Sequence, residues 1–275
     1  MTWTAIRVRP SAPQKSELVS AALFAAGSQG IQEDGELLVT QFESDDEVEH
    51  ARTLVLEADA DASVEVQPVP DVDWTREWRH GVRAHRLGDL VVTPPWLADE
   101  HPAERRVVIE PGMAFGTGEH ATTRGVVRLL QQALRPGDRV ADLGAGSAVL
   151  AIAAARLGSG PVAAIEMDPD AIENAEDNVR VNGVEDRVRV ILGDAAVLLP
   201  LVAPVRLVLA NIISSVLTEL LPTIGRALTG DGQVILSGIL QEEREQMLAV
   251  LDAGGWRVIA EDREDVWWTA LVERR

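Results

Sequence analysis

The 275-residue sequence predicts an α/β protein in which a small α+β domain precedes a larger domain built on a mostly parallel sheet. Two patterns support this prediction. From residue 138 onward, short apolar strands alternate with helical segments, as in a parallel sheet covered by helices on both faces. In the first 67 residues the order is strand, helix, strand, strand, helix, strand, which is that of a split β-α-β unit.

Residues 1–67 are predicted to form the small domain, with a ferredoxin-like fold. The segment WTAIRVRP alternates like a strand, and the helix after it has apolar residues at helical spacing, Leu18 and Phe24 among them. Asp34-Gly35 is a strong hairpin signal between two short strands. A second helix in DDEVEHARTLVLEAD and a strand in ASVEVQP complete the fold.

Residues 68–100 are predicted to link the two domains. Pro68 and Pro70 interrupt regular structure. Trp74 and Trp78 are placed four residues apart on a short helix, so both indoles face the same way. The segments LVVTPPW and RVVIEPG are predicted as short strands that lead into a glycine-rich loop.

Residues 101–275 are predicted to form the larger domain. Its strands are expected in DRVADLG, PVAAIEM, RVRVILGD, VRLVLANI, GQVILSG, WRVIAE and VWWTALVE. Helices separate the first five, whereas the last two have a short connection and are expected to form an antiparallel hairpin at an edge of the sheet. Ligands of such sheets bind beyond the carboxyl ends of the strands, so the residues at those ends are the candidates for a site.

The composition excludes several kinds of site and partner. The chain has no cysteine, so disulfides, thiolate nucleophiles and cysteine-bound metals are excluded, and no metal site is predicted. Its net charge of −19 argues against nucleic acid as a direct partner. No apolar run reaches about 18 residues, so no membrane span is predicted. Without a signal pattern at the N-terminus, a cytoplasmic location is expected.

A glycine-rich turn follows the first strand of the larger domain, in VADLGAGSAVLAIAAA. Gly144 and Gly146 are present, but Val149 stands where a dinucleotide-binding turn has its third glycine, which disfavours a nicotinamide oxidoreductase. Asp142 suits the ammonium of an amino-acid ligand, whose carboxylate would bind amides at the start of the helix. S-adenosylmethionine has such an amino-acid end.

Acidic residues follow the next two strands. Glu166 ends the second strand, where a carboxylate can accept hydrogen bonds from both hydroxyls of a ribose, and Met167 follows it. Asp194 follows the third strand, where an adenine edge would lie. A local role stays open, since acidic residues at such positions also cap helices or form turns. Together, on successive strand ends, these residues favour a site for a nucleoside joined to an amino acid.

Asn211 emerges from the apolar strand VRLVLA, where an active-site residue is expected. The alternative is an asparagine of a turn or cap. Methyltransferases that act on base amino groups commonly carry an acid or Asn followed by Pro-Pro-aromatic here, which stacks the flipped base. This chain has Ile212-Ile213 and contains no tyrosine, so a nucleic-acid substrate is again disfavoured.

The loop EPGMAFGTGEHATTR lies directly before the alternating region. Its glycines allow tight turns and close approach of the backbone to a ligand, although a plain surface turn has a similar composition. Phe115 is expected either to lie against a sulfonium in a cation–π contact or simply to pack. His120 is expected to be structural. Thr122 and Thr123 stand at the end of the loop.

This loop, with VADLGAGSAVLAIAAARLG, AIEMDPDAIENAEDNVRVNGV and LANIISSVLTELLP, resembles the ribosomal protein methyltransferase family that modifies the eleventh protein of the large subunit (L-eleven). DWTREW, LSGIL and the N-terminal domain extend the resemblance over essentially the whole chain. The sequence departs from the family at Ala145, Ala148, Glu166 and Ala121, where Cys, Gly, Asp and Pro are common. None of these departures removes a needed functional group.

The resemblance implies a Rossmann-like, seven-stranded methyltransferase core that uses S-adenosyl-L-methionine and releases S-adenosyl-L-homocysteine. It implies N-methylation of lysine side chains and of the N-terminal α-amine of L-eleven, with cofactor contacts at Thr123, Gly144, Glu166 and Asn211. The loop 111–123 is then a lid over the methionine end of the cofactor. Asn211 is also expected to be catalytic, with its amide oxygen orienting the attacking amine.

The N-terminal domain is the predicted substrate-recognition part. Residues 1–67 carry four basic and thirteen acidic residues, a net charge of −9, which suits the capture of a basic ribosomal protein. The enzyme is expected to act as a monomer. Two alternatives remain open: a lysine methyltransferase of the same family that acts on a different protein, and a cofactor-binding module without catalysis.

Overall fold

The computed structural model describes residues 3–28, 30–68, 82–111, 116 and 118–275. The chain divides into two compact units, residues 1–81 and 82–275. The larger unit therefore begins at residue 82 and not at residue 101 as the sequence predicts. The reason is packing: Leu87, Leu90 and Val92 are buried in the same apolar core as the helices of the larger unit. The predicted tryptophan helix around Trp74 lies outside the described residues.

The smaller unit has a four-stranded sheet covered by two helices. Its elements are β1 (Thr4–Arg9), α1 (Ser16–Ala25), β2 (Gln32–Asp34), β3 (Leu37–Phe42), α2 (Asp45–Ala58) and β4 (Ser63–Pro68). The sheet order is β2-β3-β1-β4, with every neighbouring pair antiparallel. In α1 the buried face is formed by Val19 and Leu23, whereas Leu18 and Phe24 are more than half exposed. The helix therefore packs with a different face from the one its apolar spacing predicts.

Three short strands open the larger unit, within and just beyond the predicted linker. They are β5 (His85–Leu87), β6 (Leu90–Thr93) and β7 (Arg106–Val108). β5 and β6 are antiparallel, and β6 and β7 are parallel. A 3₁₀ turn at Pro95–Glu100 joins the last two. The two strands predicted in LVVTPPW and RVVIEPG are thus present.

The seven predicted strands of the main sheet and the helices between them are also present. The strands are β8 (Val140–Leu143), β9 (Val162–Glu166), β10 (Val188–Leu192), β11 (Val205–Asn211), β12 (Leu228–Leu240), β13 (Trp256–Glu264) and β14 (Trp267–Arg274). The helices are α3 (Ala121–Ala133), α4 (Val149–Arg156), α5 (Pro169–Val181), α6 (Ala195–Val202), α7 (Ser214–Ala227) and α8 (Arg244–Ala253). The order β10-β9-β8-β11-β12-β14-β13 has β14 antiparallel to both of its neighbours, which confirms the α/β fold and its edge hairpin.

Helices cover both faces of this sheet. One apolar core forms under α3, α4 and α5, and a second forms under α6, α7 and α8. This three-layer arrangement buries the near-continuous apolar runs of the parallel strands from both sides. Among the helices of the described residues, none has the length and apolarity needed to cross a bilayer.

Candidate functional site

The main sheet has a topological switch point between β8 and β11. The chain builds β8, β9 and β10 toward one edge and then returns to place β11 on the other side of β8. Connections that diverge in this way leave a crevice at the carboxyl ends of the two strands, where ligands of open α/β sheets bind. The glycine turn after β8 and Asn211 at the end of β11 therefore lie on the two sides of one crevice.

The glycine turn has a left-handed backbone at three positions. The φ angles are +68° at Gly144, +52° at Gly146 and +63° at Ala148. A Cβ at Gly144 would lie 2.5 Å from the Cγ2 atom of Ile212, so the space beside this residue admits only glycine. Ala148, where a third glycine is common in the family, adopts the left-handed conformation directly before α4. The turn thus keeps a glycine-like path although one glycine is replaced.

Glu166 ties the glycine turn to the next strand. Its carboxylate accepts hydrogen bonds from the backbone amides of Gly146 at 2.7 Å, Met167 at 2.8 Å and Asp168 at 2.9 Å. A carboxylate has about four acceptor positions, so acceptor capacity is left for a ligand. The side chain is half-buried, which gives it access to the crevice.

Asp142 lies fully buried directly before this turn. Its Oδ2 atom accepts a hydrogen bond from the Ala151 amide at 3.0 Å, whereas its Oδ1 atom has no partner among the described residues. Burial raises the pKa of Asp142 to about 7; the hydrogen bond from the Ala151 amide opposes this rise, and the nearby charge of Glu166 contributes a smaller part of it. A buried carboxylate oxygen without a partner is costly, and a cation or donor placed beside it would relieve that cost.

The start of α3 is anchored beside β12. His120 caps this helix with its ring Nδ1 atom, 2.7 Å from the Thr122 hydroxyl, and so has the structural role predicted for it. The Ser237 hydroxyl on β12 donates to the Thr122 carbonyl at 3.3 Å. Ser237 is also the register partner of Asn211. The Thr123 hydroxyl is buried without a hydrogen-bond partner among the described residues.

Asn211 ends β11 on the other side of the crevice from the glycine turn. It is half-buried, and the described residues give its side-chain amide no hydrogen bond. An amide in this state is available to a ligand, whereas an asparagine that forms a turn or cap is bonded to nearby backbone.

The remaining predicted residues either lie at the margin of the crevice or fall outside the residues that the structure describes. Asp194 is exposed and caps α6 by accepting a hydrogen bond from the Ala196 amide at 2.7 Å, whereas the local alternative expected for it is a turn. Met167 is 71% exposed. Phe115 and most of the loop before Gly116 lie outside the described residues. The structure therefore brings Asp142, Gly144, Gly146, Glu166 and Asn211 together around the crevice, with Thr122 and Thr123 anchored next to β12.

Three polar residues that the sequence analysis did not single out hold this region together. The Ser147 hydroxyl donates to the Gly116 carbonyl at 2.7 Å and so connects the loop to the glycine turn. Buried Asn178 donates to the Ser147 carbonyl and accepts from the Glu110 amide. Asn182, one helical turn further along the chain, bonds both backbone groups of Val108. In the sequence, the pattern that could have indicated this role is the pair of asparagines spaced i, i+4 beside the apolar face of a helix. Such amides become buried with that face and then need hydrogen-bond partners.

The described residues contain no group of three or more His, Asp or Glu side chains arranged to hold a metal ion.

Known proteins share this chain's sequence and fold. The family model described as ribosomal protein L11 methyltransferase (PrmA) matches residues 2–275. A protein of Pelotomaculum thermopropionicum named ribosomal protein L11 methyltransferase is 40% identical over 215 residues, which cover 78% of this chain and 69% of that protein. A protein of Thermus thermophilus with the same name is 40% identical over 201 residues, which cover 73% of this chain and 77% of that protein. A solved structure titled ribosomal protein L11 methylase, from Lactobacillus delbrueckii subsp. bulgaricus, is 28% identical, with a TM-score of 0.64, over 70% of this chain and 100% of that one. The chain therefore belongs to the ribosomal protein L11 methyltransferase family.

Proposed function

We propose that this chain transfers methyl groups from S-adenosylmethionine to amines of ribosomal protein L11, on lysine side chains and on the N-terminal α-amine. The observation that carries the proposal is the position of Asn211: it ends β11, the strand next to β8 and its left-handed turn, and its side-chain amide has no hydrogen bond among the described residues. Membership of the methyltransferase family supports the reaction class.

The residues around the crevice fit the cofactor. The Thr123 hydroxyl and the Asp142 Oδ1 atom are buried polar atoms without hydrogen-bond partners among the described residues, as expected of groups that bind a ligand. Gly144 packs closely on the Ile212 side chain, which fixes the turn after β8 against the residues that follow Asn211. When bound, S-adenosylmethionine supplies a methyl group on a positively charged sulfur, and S-adenosylhomocysteine is the product.

Each of these residues has a proposed role toward one part of the cofactor. Asp142 and the backbone of the turn at Gly144 and Gly146 would lie along the amino-acid end, and Glu166 would accept from the ribose hydroxyls. Residues near the adenine and the sulfonium complete the proposed set: Met167 and Asp194 for the adenine, and Phe115, Thr122 and Thr123 for the methionine end.

Asn211 is the proposed catalytic residue, because its amide oxygen can accept a hydrogen bond from the attacking amine and so orient its lone pair. A lysine amine with an ordinary pKa of about 10.4 is charged at neutral pH and cannot attack. The apolar side chains of Ile212 and Ile213 beside Asn211 would favour the neutral amine by desolvation. The chain's own groups thus position the amine and lower its pKa without a strong general base.

The acidic residues 1–67 are proposed to recognise the basic substrate protein, since complementary charge speeds encounter and fixes orientation. The enzyme would act as a cytoplasmic monomer that does not bind nucleic acid directly, in keeping with its net charge of −19. A lysine methyltransferase acting on a different protein is less favoured, because the similar proteins share the name of the L11 enzyme.

Incubation with labelled S-adenosylmethionine and a mixture of ribosomal proteins tests this proposal. Label is expected on L11. Mass spectrometry of its digested peptides should locate the added methyl groups at lysines and at the N-terminal amine. Label on a different protein, with L11 unlabelled, would favour the alternative substrate. No transfer to any protein, with cofactor bound, would favour a binding module.

A further inference from the structure

A groove runs between α7 and α8 on one face of the larger unit. Its upper part is a depression of about 240 Å³ at the carboxyl edge of the sheet, bordered by Ser214 and Glu243. Its lower part is a depression of about 360 Å³ toward the opposite edge. Thr218 and Val250 line both parts, so the two depressions are continuous.

The upper end of the groove opens next to the candidate site. Ser214 begins α7 only three residues after Asn211. Its hydroxyl donates to the carboxylate of Glu243, which stands directly before α8. Three residues of chain span at most about 10–11 Å, so a polypeptide whose amine reaches Asn211 would meet the mouth of this groove within about three residues of its own length.

The groove has opposite charges at its two ends and an apolar floor. At the upper end, hydrogen bonds from Ser214 and from the Leu240 amide hold the pKa of Glu243 below its ordinary value, so its carboxylate stays charged. At the lower end are Arg226 and Arg274, both exposed. The floor between them consists of buried side chains: Leu221, Met247 and Trp256.

The length of the groove suits an extended polypeptide. Ser214 and Arg226 are twelve positions apart on α7, which corresponds to roughly 18 Å at about 1.5 Å per residue. That distance matches about five or six residues of extended chain. A charged mouth, an apolar floor and a groove of this length are features of sites that bind peptide segments.

We propose that this groove binds an extended segment of the substrate polypeptide next to the methylated amine, with a basic side chain at Glu243 and an acidic group at Arg226 and Arg274. The inference rests on the proposed function, because it assigns a surface to that substrate. Charge decides among occupants: a polypeptide can place a basic side chain at Glu243 and an acidic group at the two arginines, whereas a phosphate backbone carries the same negative charge along its length and would be repelled at Glu243.

A bulky side chain at Thr218, where the two parts of the groove meet, tests the proposal by blocking the groove. Thr218→Trp is expected to raise the KM for L11 on the order of tenfold, while kcat and the Kd of S-adenosylmethionine measured by calorimetry stay unchanged. Val216→Trp places the same bulk on the same helix outside the groove and is expected to leave the KM as in the unaltered enzyme. Equal KM values for both variants and the unaltered enzyme would overturn the inference.

A second pair of variants removes a negative charge while keeping the size of the side chain. This pair tests the proposed groove even if Thr218→Trp disturbs the fold. Glu243→Gln is expected to raise the KM for L11 several-fold at low salt, and the difference should shrink as salt is added. Glu242→Gln, its exposed neighbour, removes the same charge outside the groove and should change the KM less. Identical effects of the two variants would contradict a specific anionic anchor.

Two further results separate this inference from its premise and from other occupants. If the unaltered enzyme binds S-adenosylmethionine but does not methylate L11, the proposed function fails, and the groove loses its assigned substrate. Suppose that the unaltered enzyme methylates L11, and that Thr218→Trp leaves the KM for L11 unchanged but alters the sedimentation coefficient of the enzyme measured without substrate. The groove is then a contact between copies of this chain, and the inference is wrong.

Discussion

The carboxylate of Glu166 accepts a hydrogen bond of 2.7 Å from the amide of Gly146. These two residues lie on neighbouring strand ends, so one acidic side chain fixes the glycine turn relative to the next strand while facing the crevice. Its position suits binding of two ribose hydroxyls, and its hydrogen bonds to three amides keep the carboxylate oriented for them. The structural role of this side chain is observed, and the proposed binding of ribose would use its remaining acceptor positions.

Glu166→Gln is expected to weaken the binding of S-adenosylmethionine by about 1–3 kcal/mol, because an amide nitrogen cannot accept from a ribose hydroxyl or from Gly146. Titration calorimetry gives the change in affinity. Asp170→Asn, which removes an exposed carboxylate on the following helix, is the control and should bind as the unaltered protein does. Unchanged affinity in Glu166→Gln would remove this strand end from the cofactor site.

Asp142→Asn is expected to flatten the dependence of stability on pH. Burial raises the pKa of Asp142 to about 7, above its value of about 3.9 in an unfolded chain. Between about pH 4 and pH 7, Asp142 therefore holds a proton in the folded state that it has released in the unfolded state. The contribution of Asp142 to the free energy of unfolding declines as pH rises through this range. Asparagine keeps an acceptor for the Ala151 amide but does not titrate.

Urea unfolding of both proteins between pH 4 and pH 8 measures this difference. The free energy of unfolding of Asp142→Asn should rise relative to the unaltered protein across that window and stay level above it. Asp61→Asn, at an exposed turn of the smaller unit, should produce no such trend. Parallel pH profiles for Asp142→Asn and the unaltered protein would mean that Asp142 titrates normally.

Asn211→Ala is expected to reduce kcat more than the affinity for S-adenosylmethionine, if the amide oxygen orients the attacking amine. Steady-state kinetics with L11 and cofactor titration separate the two effects. Asn174→Ala removes an amide that donates to the Glu110 carbonyl outside the crevice, and it should leave kcat unchanged. Equal losses of rate and of cofactor affinity in Asn211→Ala would make Asn211 a cofactor contact without a catalytic role.

Gly144→Ala is expected to lower the free energy of unfolding more than Gly137→Ala. Both positions have a left-handed backbone, which costs about 1–2 kcal/mol for alanine. A Cβ at Gly137 meets open space, whereas one at Gly144 would lie 2.5 Å from Ile212 and add an overpacking cost of about 1–3 kcal/mol. Denaturant unfolding compares the two, and similar losses would show that Ile212 moves aside freely.

A chain that begins at Val82 is expected to fold and to bind S-adenosylmethionine, because the larger unit has its own apolar cores. It should methylate L11 poorly, because the acidic residues 1–67 are absent. Added salt should raise the KM of the full chain for L11 and barely change cofactor affinity. Methylation of L11 by the shortened chain at the full rate would show that residues 1–67 do not recognise the substrate.

The sequence by itself was sufficient to predict the α/β fold, the seven strands of the main sheet and the glycine turn. These features are local: the strands are apolar runs bounded by polar segments, and Gly144 and Gly146 mark a turn through their own backbone preferences. Asn211 could be singled out because a polar side chain ended an apolar strand.

Tertiary structure decided what depends on contacts between distant residues. Residues 82–100 look like a linker in the sequence, but burial of Leu87, Leu90 and Val92 makes them part of the larger unit. Helix α1 buries Val19 and Leu23 and not Leu18 and Phe24, because the sheet beneath it selects one of two apolar faces. The hydrogen bonds of Glu166 and the groove between α7 and α8 likewise arise only when separate strands and helices pack together, since no local pattern encodes the partner.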